Sequence, residues 1–342
     1  MAKVIEFKTL KKDFNFFIEE LTFLFKDDLY AINSVILNKL DSKISLIHEI
    51  ASHLILSGGK RLRPLLTCCS FQMNKDKLNN TKQYIGLAAA VEFIHAATLL
   101  HDDVIDESKK RRGLLTANEV WGNKTSVLVG DFLFSRAFQL MSKEGSSKIL
   151  KLLSDTSVII SEGEVLELSN DKDLTINEDI YLEVIHGKTA SLFSAACQVG
   201  GICANVNDEK IEALKSFGIN FGMAYQLIDD AIDYSSTTNQ LGKNIGDDFK
   251  EGKVTLPLIL AYLRSNSQEK NFWKRTIQNM IQDKNDFNKA LELIKKYNCI
   301  EDTIERAVHF ANIAKDSLGI FKETIYKQTL VNLINSSISR IN

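Results

Sequence analysis

The sequence predicts an all-α protein, a single-domain bundle of roughly ten or more helices around a central apolar cavity, extending over residues 1–342. Three observations carry that expectation. Only 2 prolines occur in 342 residues, far below the roughly 5% of average composition, and a helix interior tolerates proline poorly. Apolar residues recur three and four apart along most of the chain, and no stretch alternates apolar and polar residues as a half-buried strand would. Two similar aspartate-rich segments lie 127 positions apart (229 − 102). To build one site they must share one domain.

Composition narrows the function. Hydrophobic residues make up 44% and charged residues 25%, with a net charge of −2. That is the profile of an ordinary globular protein with no general attraction to nucleic acid. The five cysteines, Cys68, Cys69, Cys197, Cys203 and Cys299, lie in or beside apolar segments without paired spacing. They read as reduced core thiols of a cytoplasmic protein, not as a zinc site. The sequence shows no signal-peptide core after Met1 and no uncharged apolar run of about 20 residues, so no membrane span is expected.

In chain order, residues 13–56 carry apolar stripes at helical spacing, such as Phe17, Leu21, Leu24 and Phe25. Gly58-Gly59 ends that run, and K-R-L-R-P (Lys60 to Pro64) enters an apolar helix. Three cations beside a glycine turn are either a solvated loop or a phosphate-binding loop. After a polar turn at 74–80, a long helix runs from Tyr84 to Glu107 and ends in T-L-L-H-D-D-V-I-D. Asp102 and Asp106 stand one turn apart on one face, with His95 two turns back on the same side. Because Leu99, Leu100, Val104 and Ile105 make this a core helix, its carboxylates need a cation or basic partners.

S-K-K-R-R-G follows, four cations directly after three acids. Thr116 to Glu119 and Thr175 to Glu178 both read as capping boxes that open helices. Between them lie an apolar helix, Ser126–Met141, and a helix from Lys148 to Asn170 that ends in Glu162, Glu164 and Glu167. H-G-K-T-A (His186 to Ala190) is not a P-loop, because the motif's first glycine would fall on Leu182. Its Lys188, inside an apolar helix, either reaches solvent or meets an anion. Q-L-I-D-D-A-I-D (Gln226 to Asp233) repeats the acidic triplet. The glycine-rich stretch from Ser235 beside it reads as a mobile lid bearing Lys243 and Lys253. Helices paired by polar connectors complete the chain.

Two carboxylate walls suit magnesium, which keeps its waters and is completed by substrate phosphates. Basic groups at Lys60, Arg63, Arg111, Arg112, Lys188, Lys243 and Lys253 suit diphosphate. There is no activated Ser or Cys nucleophile. The set fits a reaction in which diphosphate departs and an apolar cavity shelters a carbocation.

From G-G-K-R-L-R-P at Gly58, through both aspartate motifs, to G-K-V-T-L-P-L near Leu258, the chain resembles the trans-polyprenyl diphosphate synthases of the long-chain, octaprenyl-like type. The resemblance implies the isoprenoid synthase fold, Mg2+ as cofactor and isopentenyl and allylic diphosphates as substrates. It implies a homodimer, with transient membrane contact for product release. Asp102, Asp106 and Asp229 would hold magnesium, with Asp103, Asp230 and Asp233 close by or acting through water. Lys60, Arg63, His95 and Arg112 would hold isopentenyl diphosphate. Arg111, Lys188, Thr189, Gln226, Lys243 and Lys253 would hold the allylic diphosphate. Val254 departs from the family's frequent proline and touches no ligand.

Short-chain members carry bulky residues one turn before the first triplet. Here Ala97 and Thr98 are small, so the tunnel should stay open and stop deeper, at Phe132 or Phe138. The alternatives are a shorter-chain farnesyl or geranylgeranyl synthase, a non-catalytic partner subunit, a terpene cyclase and a di-iron carboxylate bundle. The last rests on two Glu-x-x-His pairs, Glu92 with His95 and Glu183 with His186.

Overall fold

The structure, a computed structural model, describes residues 13–75, 81–235 and 246–341. Asp13 caps the first helix through Phe16 N at 2.9 Å. α1 (Phe14–Leu24) and α2 (Lys26–Lys39) form one bent rod, since Phe25 N and Leu29 N keep their i−4 bonds across the bend. α3 (Ser45–Leu56) leads to the glycine turn. α4 (Leu62–Asn74) carries Pro64 in its first turn, where the missing N–H costs nothing.

α5 (Gln83–Ile105) is apolar enough to cross a membrane, but 78% of its apolar window is buried inside the protein. It is a core helix, with Leu100 fully buried, although Ile105 at its end is exposed. Behind it comes a departure from the all-helical expectation: a hairpin of β1 (Lys110–Arg111) and β2 (Leu114–Leu115). Arg112 and Gly113 both have positive φ, the requirement of a tight two-residue turn. Two-residue strands are too short to leave an alternation in the sequence.

α6 (Ala117–Trp121), α7 (Asn123–Glu144) and α8 (Ser147–Ser169) follow. Thr116 flanks α6 without capping it through its side chain. Asn177, not Thr175, caps α9 (Glu178–Ile185) by accepting from Ile180 N at 3.0 Å. A π-helical turn, His186–Ala190, then passes into α10 (Ser191–Cys203). α11 (Asp208–Asp233) carries the second aspartate motif. α12 (Asp247–Glu251), α13 (Leu256–Arg264), α14 (Ser267–Trp273), α15 (Asp286–Lys296), α16 (Cys299–Ser317) and α17 (Ile325–Ile338) complete the chain, with a last 3-10 turn at Ser339–Ile341.

The main core gathers α1–α5, α7, α8, α10 and α17. A second cluster gathers α9, α13, α15 and the end of α11 around Trp273 and Phe249. α11 packs on both α10 and α16, so one helix joins the two clusters. The five cysteines are unpaired; burial pushes the thiols up, to about 12 at Cys197.

Candidate active site

The motifs end their helices at one cleft. Asp102 and Asp103 are buried in the last turn of α5, and Asp106 is its C-cap. Asp230 is buried one turn before the end of α11. Burial pushes Asp102 up to about 6, against the pull of Lys188. It pushes Asp230 up to about 7, against hydrogen bonds from Tyr181 and Gln226. Glu167 raises both groups, so both motifs face the same carboxylate. Thr189 bonds Gln226, which bonds Asp230, and the adjoining Lys188 acts on Asp102, so both acidic segments border one cleft beside the turn at 186–190.

Cations knit that cleft together. Lys188 Nζ donates to Glu164 Oε2 at 3.0 Å and Glu167 Oε2 at 2.5 Å. Burial works against the Lys188 charge, but Glu167, Asp102 and Glu164 outweigh it and hold the ammonium protonated. The lysine that could have reached solvent meets anions instead. Lys253 Nζ donates to Asp106 Oδ2 at 2.9 Å, linking the first motif to the segment after the second. Arg111 Nε donates to Asp103 Oδ1 at 2.8 Å from the hairpin. Gln226 Nε2 donates to Asp230 Oδ1 at 2.8 Å, and Gln226 Oε1 accepts from Thr189 Oγ1 at 3.1 Å. Asp233 turns aside to accept from the backbone of Asp247 and Asp248 at the start of α12. Lys243 lies outside the described residues.

Two glycines make the Lys188 arrangement possible. A Cβ on Gly163 would lie 2.9 Å from Lys188 N, and one on Gly187 would lie 2.9 Å from Gly163 Cα. Only paired glycines let α8 touch the π-helical turn closely enough for Glu164 and Glu167 to reach Lys188.

A basic floor adjoins the acidic walls. Arg63 lies over the Phe193 ring at 4.4 Å, and burial lowers it to about 10. Lys60 lies over Phe14 at 4.6 Å. The Arg112 guanidinium donates to Gly58 O and fits against Gly59, where a Cβ would come 2.9 Å from it. His95 is pushed well down by burial, then by Arg63, Arg112, Arg111 and Arg61. Burial and four guanidiniums thus keep His95 neutral. Glu92 is held by Arg61 at 2.5 Å. The Glu92–His95 pair is thus committed elsewhere, which removes the di-iron reading.

Several groups of this cleft had no place in the sequence reading. Arg340, buried in the last 3-10 turn, pairs with Asp229 Oδ1 at 2.6 Å and faces Tyr225 and Phe14 at 5.0 and 5.1 Å. Tyr181 donates to Asp230 Oδ2 at 2.6 Å. Neither lies in a motif. Glu164 and Glu167 did carry a signal, two carboxylates three apart on one helix face opposite a buried lysine.

Ala97 is buried and Thr98 half-buried one turn before the first motif. Phe132 is half-buried under Arg136. Phe138 does not lie deep below the motif. It is 41% exposed and lines, with Phe134, an apolar groove of about 720 Å³ between α7 and α8.

The donors available to a metal are hard carboxylate oxygens, which suit magnesium or calcium. Among the described residues no three acidic, histidine or cysteine side chains converge into a ready cage.

Residues 44–294 match the polyprenyl synthetase family model. The chain belongs to that family. It is 40% identical over 323 residues to octaprenyl diphosphate synthase of Escherichia coli (strain K12), covering 94% of this chain and 99% of that one. It is 39% identical over 314 residues to an all-trans-nonaprenyl-diphosphate synthase of Rhodobacter capsulatus, 92% of this chain and 95% of that one. A polyprenyl synthase from Caulobacter crescentus CB15, solved with calcium and isoprenyl diphosphate, superposes with a TM-score of 0.90 at 45% identity, covering 95% of this chain and 98% of that one. A decaprenyl diphosphate synthase from Rhodobacter capsulatus also gives 0.90, at 41% identity, covering 95% and 99%. As a polyprenyl synthetase the protein is a prenyltransferase of the all-α isoprenoid synthase fold.

Proposed function

We propose that this polyprenyl synthetase condenses isopentenyl diphosphate head-to-tail onto an allylic diphosphate and releases a long, octaprenyl-like all-trans product for quinone side chains. The supporting observation is the single cleft in which both aspartate motifs, Lys188 and Lys253 meet. Asp102, Asp106 and Asp229 would hold magnesium, with Asp103, Asp230 and Asp233 near them. When bound, the metal neutralises charge on the leaving diphosphate.

The chain's own groups do the rest. Lys188, Lys253, Arg111, Thr189, Gln226 and Lys243 bind the allylic diphosphate and take up the charge it gains as its carbon–oxygen bond breaks. Their preorganisation is worth more in a dry cleft than in water. Lys60, Arg63, Arg112 and neutral His95 hold isopentenyl diphosphate so that its double bond meets the allylic carbon. Attack forms the new carbon–carbon bond, and the released diphosphate takes the proton that leaves. Apolar walls exclude water from the cation.

Small Ala97 and Thr98 leave the way open below the first motif. The groove beside Phe138 is a candidate path for the growing chain. Exposed Leu128, Val158, Val165 and Leu168 on the same two helices would form the contact of a homodimer. In this reading one domain works in the cytoplasm and meets a membrane only to release product. Incubation with farnesyl diphosphate, labelled isopentenyl diphosphate and magnesium tests it. Long-chain polyprenyl diphosphates are expected; unchanged substrates, or products ending at farnesyl or geranylgeranyl length, would refute the reading.

A further inference from the structure

The bent rod of α1 and α2 has two apolar lines. The inner one, Ile18, Leu21, Phe25, Leu29, Ile32 and Ile36, is buried at spacings of three and four. The outer one recurs every seven residues: Phe23, Tyr30 and Leu37, preceded by Phe16. Phe23 is 76% exposed and Tyr30 77%. A core helix needs only its inner line. The outer line is a row of exposed apolar side chains that the core does not use, and it marks this face as a contact surface.

The flanks state the partner's charge. Around the ridge, three and four residues away, stand Asp13, Glu19, Glu20 and Asp27, against one cation, Lys26, among the described flanking positions of the two helices. Lys26 lies over the Phe23 ring at 5.6 Å. Glu19, Glu20 and Asp27 have no cation partner among the described residues. A second copy paired antiparallel about Tyr30 would set Glu20 against Leu40 and Asp27 against Asn33, and so offers these carboxylates no cation. A ridge one side chain wide between carboxylates also suits a bilayer poorly. Membrane-surface helices present a broad apolar face with basic flanks, and the leaflets they meet are anionic.

We propose that the α1–α2 ridge docks a basic amphipathic helix of a partner protein. Phe23, Tyr30 and Leu37 would seat in its apolar seam, and the acidic flanks would pair with its lysines or arginines. From Phe16 to Leu37 the ridge spans about 32 Å at the helical rise of 1.5 Å per residue, enough for three heptads of the partner.

The probe is a labelled four-heptad peptide with leucine at the first and fourth positions and lysine at the flanking ones. A second peptide carries glutamate in place of lysine. Fluorescence anisotropy with the full-length enzyme should show binding of the lysine peptide only, weakened by salt. A Phe23→Ser/Tyr30→Ser/Leu37→Ser variant should bind it at least about tenfold more weakly, while its prenyl-transfer rate stays at the wild-type value. Equal binding of the peptide by wild type and variant would overturn the proposal. So would phosphatidylcholine–phosphatidylglycerol vesicles that retain wild type but not variant, or a sedimentation mass that falls in the variant.

Discussion

Replacing Gly163 by alanine tests how the Lys188 centre is built. The new Cβ would stand 2.9 Å from Lys188 N and 3.0 Å from Gly187 Cα. Both neighbours are backbone, so no side chain can swing away; the π-helical turn must move off α8 instead. Overpacking of this kind costs about 1–3 kcal/mol, which should appear as a lower midpoint in chemical denaturation with an unchanged slope. The displacement also parts Lys188 from Glu164 and Glu167, now at 3.0 and 2.5 Å. A misplacement of about 1 Å at a positioning group costs on the order of 10²-fold in rate. Steady-state assay with an allylic diphosphate and isopentenyl diphosphate should show that loss mainly in kcat/KM for the allylic substrate. Wild-type stability together with wild-type kinetics would mean that the glycine pair does not set the position of Lys188.

The remaining predictions use the same groups. Asp102 and Asp230 have folded-state values of about 6 and about 7 against 3.8 unfolded. The folded chain therefore binds more protons, and metal-free stability should fall as pH rises from about 4 to about 7. Denaturation at several pH values checks the slope, and added magnesium should restore stability at pH 7; a metal-free stability that rises over that range would contradict it. Ala97→Tyr should shorten the product on chromatography, and an unchanged chain length would show that the chain does not pass this position. Arg61→Met strips Glu92 of its 2.5 Å partner and should cost about 3 kcal/mol or more through the stranded buried carboxylate. Restoration of stability by a further Glu92→Gln change would confirm the cause.

The helices were legible because apolar spacing and the scarcity of proline act locally. The β1–β2 hairpin was not, since it depends on positive φ at Arg112 and Gly113 and not on alternation. The aspartates stood out because acids in a core helix are costly and so need a reason. Arg340 could not be seen that way. Its pairing with Asp229 joins residues 111 positions apart (340 − 229), and neither charge pattern nor spacing near the C-terminus announces it. Tyr181 reads as one more core aromatic until the fold brings its hydroxyl to Asp230. Phe138 shows a limit of spacing arguments. Helical spacing put it on an apolar helix but could not say which side faces α5 and which the open groove.

The most direct measurement titrates a non-hydrolysable allylic thiodiphosphate, with magnesium, into wild type, Asp106→Asn, Asp229→Asn and the double variant by calorimetry. If both motifs grip one metal-bound diphosphate, each single change should abolish most magnesium-dependent binding, and the double variant should be little worse than either. Two independent, additive losses, or a second binding event that survives when one motif is removed, would contradict a shared site.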